Sequence, residues 1–145
     1  VSSARKALGL NTDGLGDVAE GAAMYMLSFE AGRPIPTNSA DTMADGMACR
    51  TPVEEAFEII RAGAARILSV SDAEIRAAIR AYYTDTHNIA EGAGAAPLAA
   101  LMQERDRMAG RKVGLVLSGG NIDRELFLEV LSESDAAPAA QEATS

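Results

Sequence analysis

At 145 residues the chain has room for one domain, one able to bury roughly two-thirds of its unfolded surface. Hydrophobic residues make up 48% of it, but aromatics are only 4% and Trp is absent, so Ala, Leu, Ile, Val and Met must fill the core. A formal net charge of -8 argues against a nucleic-acid or anionic-membrane surface. The single cysteine, Cys49, excludes an internal disulfide and fits a reducing, cytoplasmic setting.

In chain order, Ser2 to Leu8 reads as the end of a helix closed by Gly9. It has no room for an opening cap, so the chain is expected to be the latter part of something longer. A short strand is predicted over Leu15 to Ala19, with Asp17 an awkward occupant. Ala22 to Gly32 reads as a helix stopped by Pro34 and Pro36. Thr37 to Arg50 has no period and contains the turn signal Asp45-Gly46.

Two capping boxes follow. Thr51-Pro52-Val53-Glu54 predicts a helix to about Ala62, and Ser71-Asp72-Ala73-Glu74 opens another whose Ile75, Ala78, Ile79 and Tyr82 share one face. Between them Arg66 to Val70 reads as a strand. The second helix runs out near Thr86-His87-Asn88. A small-residue segment, Ile89 to Pro97, leads into a helix expected over Leu98 to Ala109, and Gly110 ends it. Lys112 to Leu117 reads as a buried strand that breaks into the turn Ser118-Gly119-Gly120-Asn121, after which Ile122 to Glu133 is a helix. Residues 134–145 have nothing to bury and are expected to be a disordered tail.

Conventional catalytic constellations are thin. His87 is the only histidine, so Cys49 and His87 fall short of a zinc site, and no P-loop pattern exists. Gly92-Ala93-Gly94 starts like a dinucleotide fingerprint, but Pro97 stands in place of its third glycine. The strand tip that opens into Ser118-Gly119-Gly120-Asn121 is different, because open α/β sheets bind ligands where a strand ends at a helix N-terminus. Taken alone it is an ordinary strand-to-helix turn.

Three segments, Thr42-Met43-Ala44-Asp45-Gly46-Met47-Ala48, Ala90-Glu91-Gly92-Ala93-Gly94-Ala95-Ala96 and Val116-Leu117-Ser118-Gly119-Gly120-Asn121-Ile122-Asp123, change that weighting. With them the chain resembles the C-terminal half of the fold-type-II pyridoxal-phosphate enzymes, the threonine dehydratase and serine racemase group, over about Ala4 to Ser132. The resemblance implies an α/β fold, a three-layer open twisted sheet with helices on both faces, with residues 1–133 forming the C-terminal part of the cofactor-binding large domain. It implies pyridoxal 5'-phosphate as cofactor. Ser118 would hydrogen-bond the pyridine nitrogen, with Gly119, Gly120 and Asn121 at the ring's edge, Gly46 presenting backbone and Glu91 beside ring and substrate. A hydroxyl is too weak an acid to protonate the ring, and a neutral ring is a milder electron sink that suits β-elimination. Among partners it implies an amino-acid substrate and a homo-oligomer in the full-length form, with neither nucleic acid nor membrane.

There are departures. The family's Ser-x-Lys lysine and glycine-rich phosphate loop precede the segment matched here. The only lysines are Lys6 and Lys112, and Lys112 stands about 15 Å from Ser118 at the other end of the expected strand, out of reach of the ring. Some relatives bind a divalent cation; Glu20 fits its glutamate, but Met26 stands where an aspartate belongs, so no metal site is expected. The expected function is thus the ring-side portion of a threonine/serine dehydratase, a lyase of amino-acid metabolism, inactive by itself. The alternative is a non-catalytic α/β binding or assembly module that uses the exposed seam of the same fold.

Overall fold

A parallel pair of strands sets the frame, and such a pair needs a long crossover between its members. In the computed structural model, which describes residues 2–134, β1 (Leu15–Ala19) pairs in parallel with β2 (Arg66–Val70), in a register from Leu15 opposite Arg66 to Ala19 opposite Val70. The tail expected over 134–145 therefore lies, except for Ser134, outside the described residues. The crossover carries α2 (Met24–Ala31) and α3 (Glu54–Gly63), and both strands pack against α2. Ahead of them α1 (Ser2–Ala7) rests on α3, where the Arg5 guanidinium donates to the Gly63 carbonyl at 2.9 Å.

Gly32 ends α2 in the left-handed conformation at φ 66°, as a glycine terminus requires. The buried Ser28 hydroxyl then ties the turn down, donating to the Met24 carbonyl at 2.8 Å and accepting from the Ile35 N–H at 2.9 Å. The Ser71 capping box forms as expected. Its hydroxyl accepts from the Glu74 N–H at 3.3 Å, while the Glu74 carboxylate accepts from the Ser71 N–H at 2.7 Å, opening α4 (Asp72–Ala81). The Thr51 box does not form. Val53 becomes the residue before α3, and its N–H meets the Tyr25 hydroxyl at 3.4 Å instead of a cap.

After α4 the chain widens into one π-helical turn, Tyr82–Thr86, closed by His87 at φ 56°. The next helix starts six residues earlier than expected. It is α5 (Gly92–Gln103), with Pro97 inside it, followed by the short α6 (Arg105–Met108). Gly92, Gly94, Ala95, Ala96, Ala99 and Ala100 are all buried in α5, so its small side chains let α4 and the strands approach closely and offset the hydrogen bond lost at Pro97. The core joins this face to Ile75, Ala78, Ile79, Val70 and Ala19, and to Val130 of α7 (Arg124–Ser132). Arg76 and Arg80 on α4 reach Glu133 across the α7 side, each at 2.6 Å.

One expected element is absent. Residues 112–123 have no regular secondary structure, so the strand predicted over Lys112 to Leu117 does not form among the described residues. A strand exists only by pairing, and among the described residues this segment has no strand to pair with. Residues 113–116 instead line a groove of about 950 Å³ together with Leu15, Gly16 and Asp17 of β1. The α/β class stands, with helices around a small parallel sheet.

Candidate functional site

A polar cavity lies where three irregular segments converge on the start of α5. It holds about 150 Å³ and is lined by Gly46, Glu91 and Asn121 together with Asp45, Asp123 and Leu126. Gly46 sits in the 3₁₀ turn Asp45–Met47, Glu91 is the extended residue just before α5 (φ −79°, ψ 169°), and Asn121 follows the glycine turn.

Close backbone approach builds this wall. The Glu91 N–H donates to the Gly119 carbonyl at 3.1 Å. A Cβ on Gly119 would run into the Glu91 carboxylate, and one on Gly120 would stand 2.5 Å from the Ile89 carbonyl. A Cβ on Gly94 would lie 2.5 Å from the Gly119 carbonyl. Gly46 faces Ala93, and Gly92 faces Ala44, each with a Cβ-equivalent separation of 2.9 Å. Contact distance favours glycine at these positions, most strictly at Gly92, Gly94 and Gly120, where backbone is met; none of them has a positive φ.

Of the six residues expected to hold a cofactor, Gly46, Glu91 and Asn121 share the cavity, and Gly119 and Gly120 pack against its back. Ser118 is exposed, one residue beyond the Gly119–Glu91 contact, and its hydroxyl makes no hydrogen bond among the described residues. Asp45 and Asp123 are wall residues that the sequence reading passed over. Their signal was adjacency, since each flanks a residue already singled out. Glu91 leads directly into α5, whose start lies six residues ahead of the one expected at Leu98.

The donor set bears on what the cavity can hold. Three carboxylates, Asp45, Glu91 and Asp123, line it, which opposes a phosphate group, whereas the glycine backbone of Gly46 and Gly92 and the Asn121 amide suit the edge of an aromatic ring. No group of three or more metal-ligating side chains occurs among the described residues, and no helix there is long and apolar enough to cross a membrane.

Residues 4–119 match the family described as "pyridoxal-phosphate dependent enzyme". The chain belongs to that family. It is similar to L-threonine ammonia-lyase of Thermotoga maritima, at 31% identity over 133 residues that make up 92% of this chain and 33% of that protein. Among solved structures it superposes on the T.th. threonine deaminase with a TM-score of 0.78 at 36% identity, covering 84% of this chain and 44% of that one. Maize serine racemase gives a TM-score of 0.78 at 26% identity, covering 88% and 40%. The chain thus spans between 33% and 44% of the length of these relatives. The fold is that of the fold-type-II enzymes, and the family's cofactor is pyridoxal phosphate. Gly46, Gly92 and the Asn121 side chain at this cavity fit the edge of that group's ring, whereas the three carboxylates do not fit its phosphate.

Proposed function

We propose that the chain, as the C-terminal part of the cofactor-binding domain over residues 1–133, supplies the pyridine-ring side of the site in a threonine/serine dehydratase. The reaction is β-elimination of L-threonine to 2-oxobutanoate and ammonia. The observation that carries this reading is the convergence of Gly46, Glu91 and Asn121 on one cavity backed by Gly119 and Gly120.

Pyridoxal phosphate, when bound, supplies the electron sink for elimination. The chain's own residues do the rest of what is assigned here. The Ser118 hydroxyl would hydrogen-bond the pyridine nitrogen without protonating it. Gly46 and the Gly119-Gly120 pair would let backbone approach the ring closely, and Asn121 would hold its edge. The Glu91 carboxylate, held against Gly119, would border the ring and the substrate side. A cavity of about 150 Å³ is smaller than the ~300–1,000 Å³ of a complete small-molecule site, which supports a wall that works with a second surface. Neither lysine lies among the cavity's lining residues. The same reading carries an amino-acid substrate, a cytoplasmic setting and a homo-oligomer.

Incubated with L-threonine and pyridoxal phosphate, the 145-residue chain is expected to form no 2-oxo acid. Joined to a polypeptide bearing a Ser-x-Lys segment, it is expected to form 2-oxobutanoate. Turnover by the chain alone, or none by the joined protein with either threonine or serine, would overturn the proposal. The groove beside β1 favours a second reading, a non-catalytic assembly module, because Leu15, Val113 and Val116 are exposed there. A monodisperse monomer by light scattering would count against that one.

A further inference from the structure

The loop over residues 41–47, which carries Gly46, has little regular structure of its own, yet Ala44 within it is fully buried. Its fixation comes from outside. At one end the Asp41 N–H donates to the Gly21 carbonyl at 3.0 Å. Further along, the first residue of α4 takes over. The Asp72 carboxylate uses both oxygens on the loop: Oδ1 accepts from the Thr42 hydroxyl at 2.5 Å, and Oδ2 accepts from the Met43 N–H at 3.0 Å. The Thr42 hydroxyl in turn accepts from the Ala44 N–H at 3.1 Å.

An acidic residue in the first turn of a helix ordinarily serves the helix, by complementing its positive end or capping its free N–H groups. Here that work is already done, because Ser71 and Glu74 form a complete capping box. Asp72 is spent on the loop. What the loop then touches is the wall of the cavity, with Ala44 packed on Gly92 and Gly46 packed on Ala93.

We propose that Asp72 and Thr42 are positioning residues that seat Gly46 against the start of α5 and so fix one wall of the cofactor cavity. The inference rests on the reading of that cavity given above. Neither residue touches the cavity itself; both act through residues 43–46.

The test uses the holoenzyme that carries this chain, with pyridoxal phosphate as the probe. Asp72→Asn keeps the side chain's size but removes its charge and turns the atom facing Thr42 into a donor, so the Thr42 hydroxyl loses its acceptor and the Met43 N–H loses a charged one. Hydrogen bonds to charged groups are worth enough that cofactor affinity, titrated into the apoenzyme by fluorescence, is expected to fall about tenfold or more. Amide exchange at Met43 and Ala44 is expected to quicken, while that of Ile79 in the core of α4 does not. Thr42→Val is expected to reproduce both effects, and Thr42→Ser, which restores the hydroxyl, to reverse them. Ser71→Ala, which weakens the same helix end without touching the loop, is expected to lower the melting temperature and leave cofactor affinity unchanged.

Unchanged affinity and exchange in Asp72→Asn would overturn the proposal, as would a Ser71→Ala variant that loses cofactor to the same degree. The exchange measurement can be made on the apoprotein and needs no cofactor. A protein that binds no pyridoxal phosphate would therefore sink the functional reading while exchange at Met43 and Ala44 still decides the clamp.

Discussion

The cavity at the start of α5 and the groove beside β1 are built on opposite plans. Around the cavity the segments press together: measured from where a Cβ would be, Gly92, Gly94 and Gly120 stand within 3.0 Å of another segment's backbone, and Gly46 and Gly119 within 3.0 Å of the Ala93 and Glu91 side chains. Along the groove the approach is less close: Gly14 and Gly16 have neighbours at 3.3 and 3.4 Å, and Gly114 has none within 4 Å. The apolar side chains differ in the same sense, with Ala44, Ala95 and Ala96 fully buried near the cavity and Leu15, Val113 and Val116 exposed along the groove. The cavity wall is a finished surface, whereas the groove is a surface with space left in it. Substitutions and titration should therefore act differently on the two sides.

The largest contrast is expected from matched glycine changes. Gly94→Ala in α5 gains about 1 kcal/mol of helix propensity, but its methyl would sit 2.5 Å from the Gly119 carbonyl, which is backbone and has to move. Overpacking costs of about 1–3 kcal/mol outweigh the gain, and a net loss of about 1–2 kcal/mol is expected in urea unfolding. Gly114→Ala should stay within about 0.5 kcal/mol of the parent. Equal effects at the two sites would erase the distinction.

A smaller contrast concerns acid. Burial pushes the Asp17 carboxyl, on the groove side, above its ordinary value. Its ionised form therefore costs stability at neutral pH, and the cost is relieved as pH falls through that raised value. Asp17→Asn is expected to raise the unfolding midpoint at about pH 7 and to change nothing near pH 3. Glu74, in the cap of α4, runs the other way. Burial opposes its charge, but bonds from the Ser71 N–H and hydroxyl and the Gln103 amide prevail and hold its carboxyl below the ordinary range. Its contribution is present above about pH 4.3 and is lost as pH falls through the depressed value. Glu74→Gln is expected to lower the midpoint at about pH 7, with the difference narrowing by pH 3. Midpoints followed across this range check both signs.

How much was legible in the sequence follows the same division. Signals that act over three or four residues were read correctly: the Ser71–Glu74 box, the Gly32 terminus and the strand at Arg66–Val70 all form. Signals overridden by a distant partner were not. The Thr51 box looks as good as the Ser71 one, but Val53 bonds the Tyr25 hydroxyl and α3 starts without it. Val113 to Leu117 has the composition of a strand and lacks a neighbour to pair with among the described residues. For α5, Pro97 hid a helix whose stability comes from burying small residues against α4 and the strands, a packing effect that no local pattern displays. At the site, the three matching segments pointed to Gly46, Glu91 and the glycine turn, and geometry brings Gly46, Glu91 and Asn121 to one cavity. The Asp72–Thr42 clamp was invisible because its partners stand 30 residues apart.

The central claim, that Ser118 meets the cofactor's pyridine nitrogen and leaves it unprotonated, is tested most directly by ¹⁵N NMR of labelled pyridoxal phosphate in the holoenzyme, before and after Ser118→Ala. The account predicts a nitrogen resonance typical of an unprotonated, hydrogen-bonded ring that moves clearly on loss of the hydroxyl. A protonated pyridinium signal in the parent protein, or a resonance that Ser118→Ala leaves in place, would contradict it.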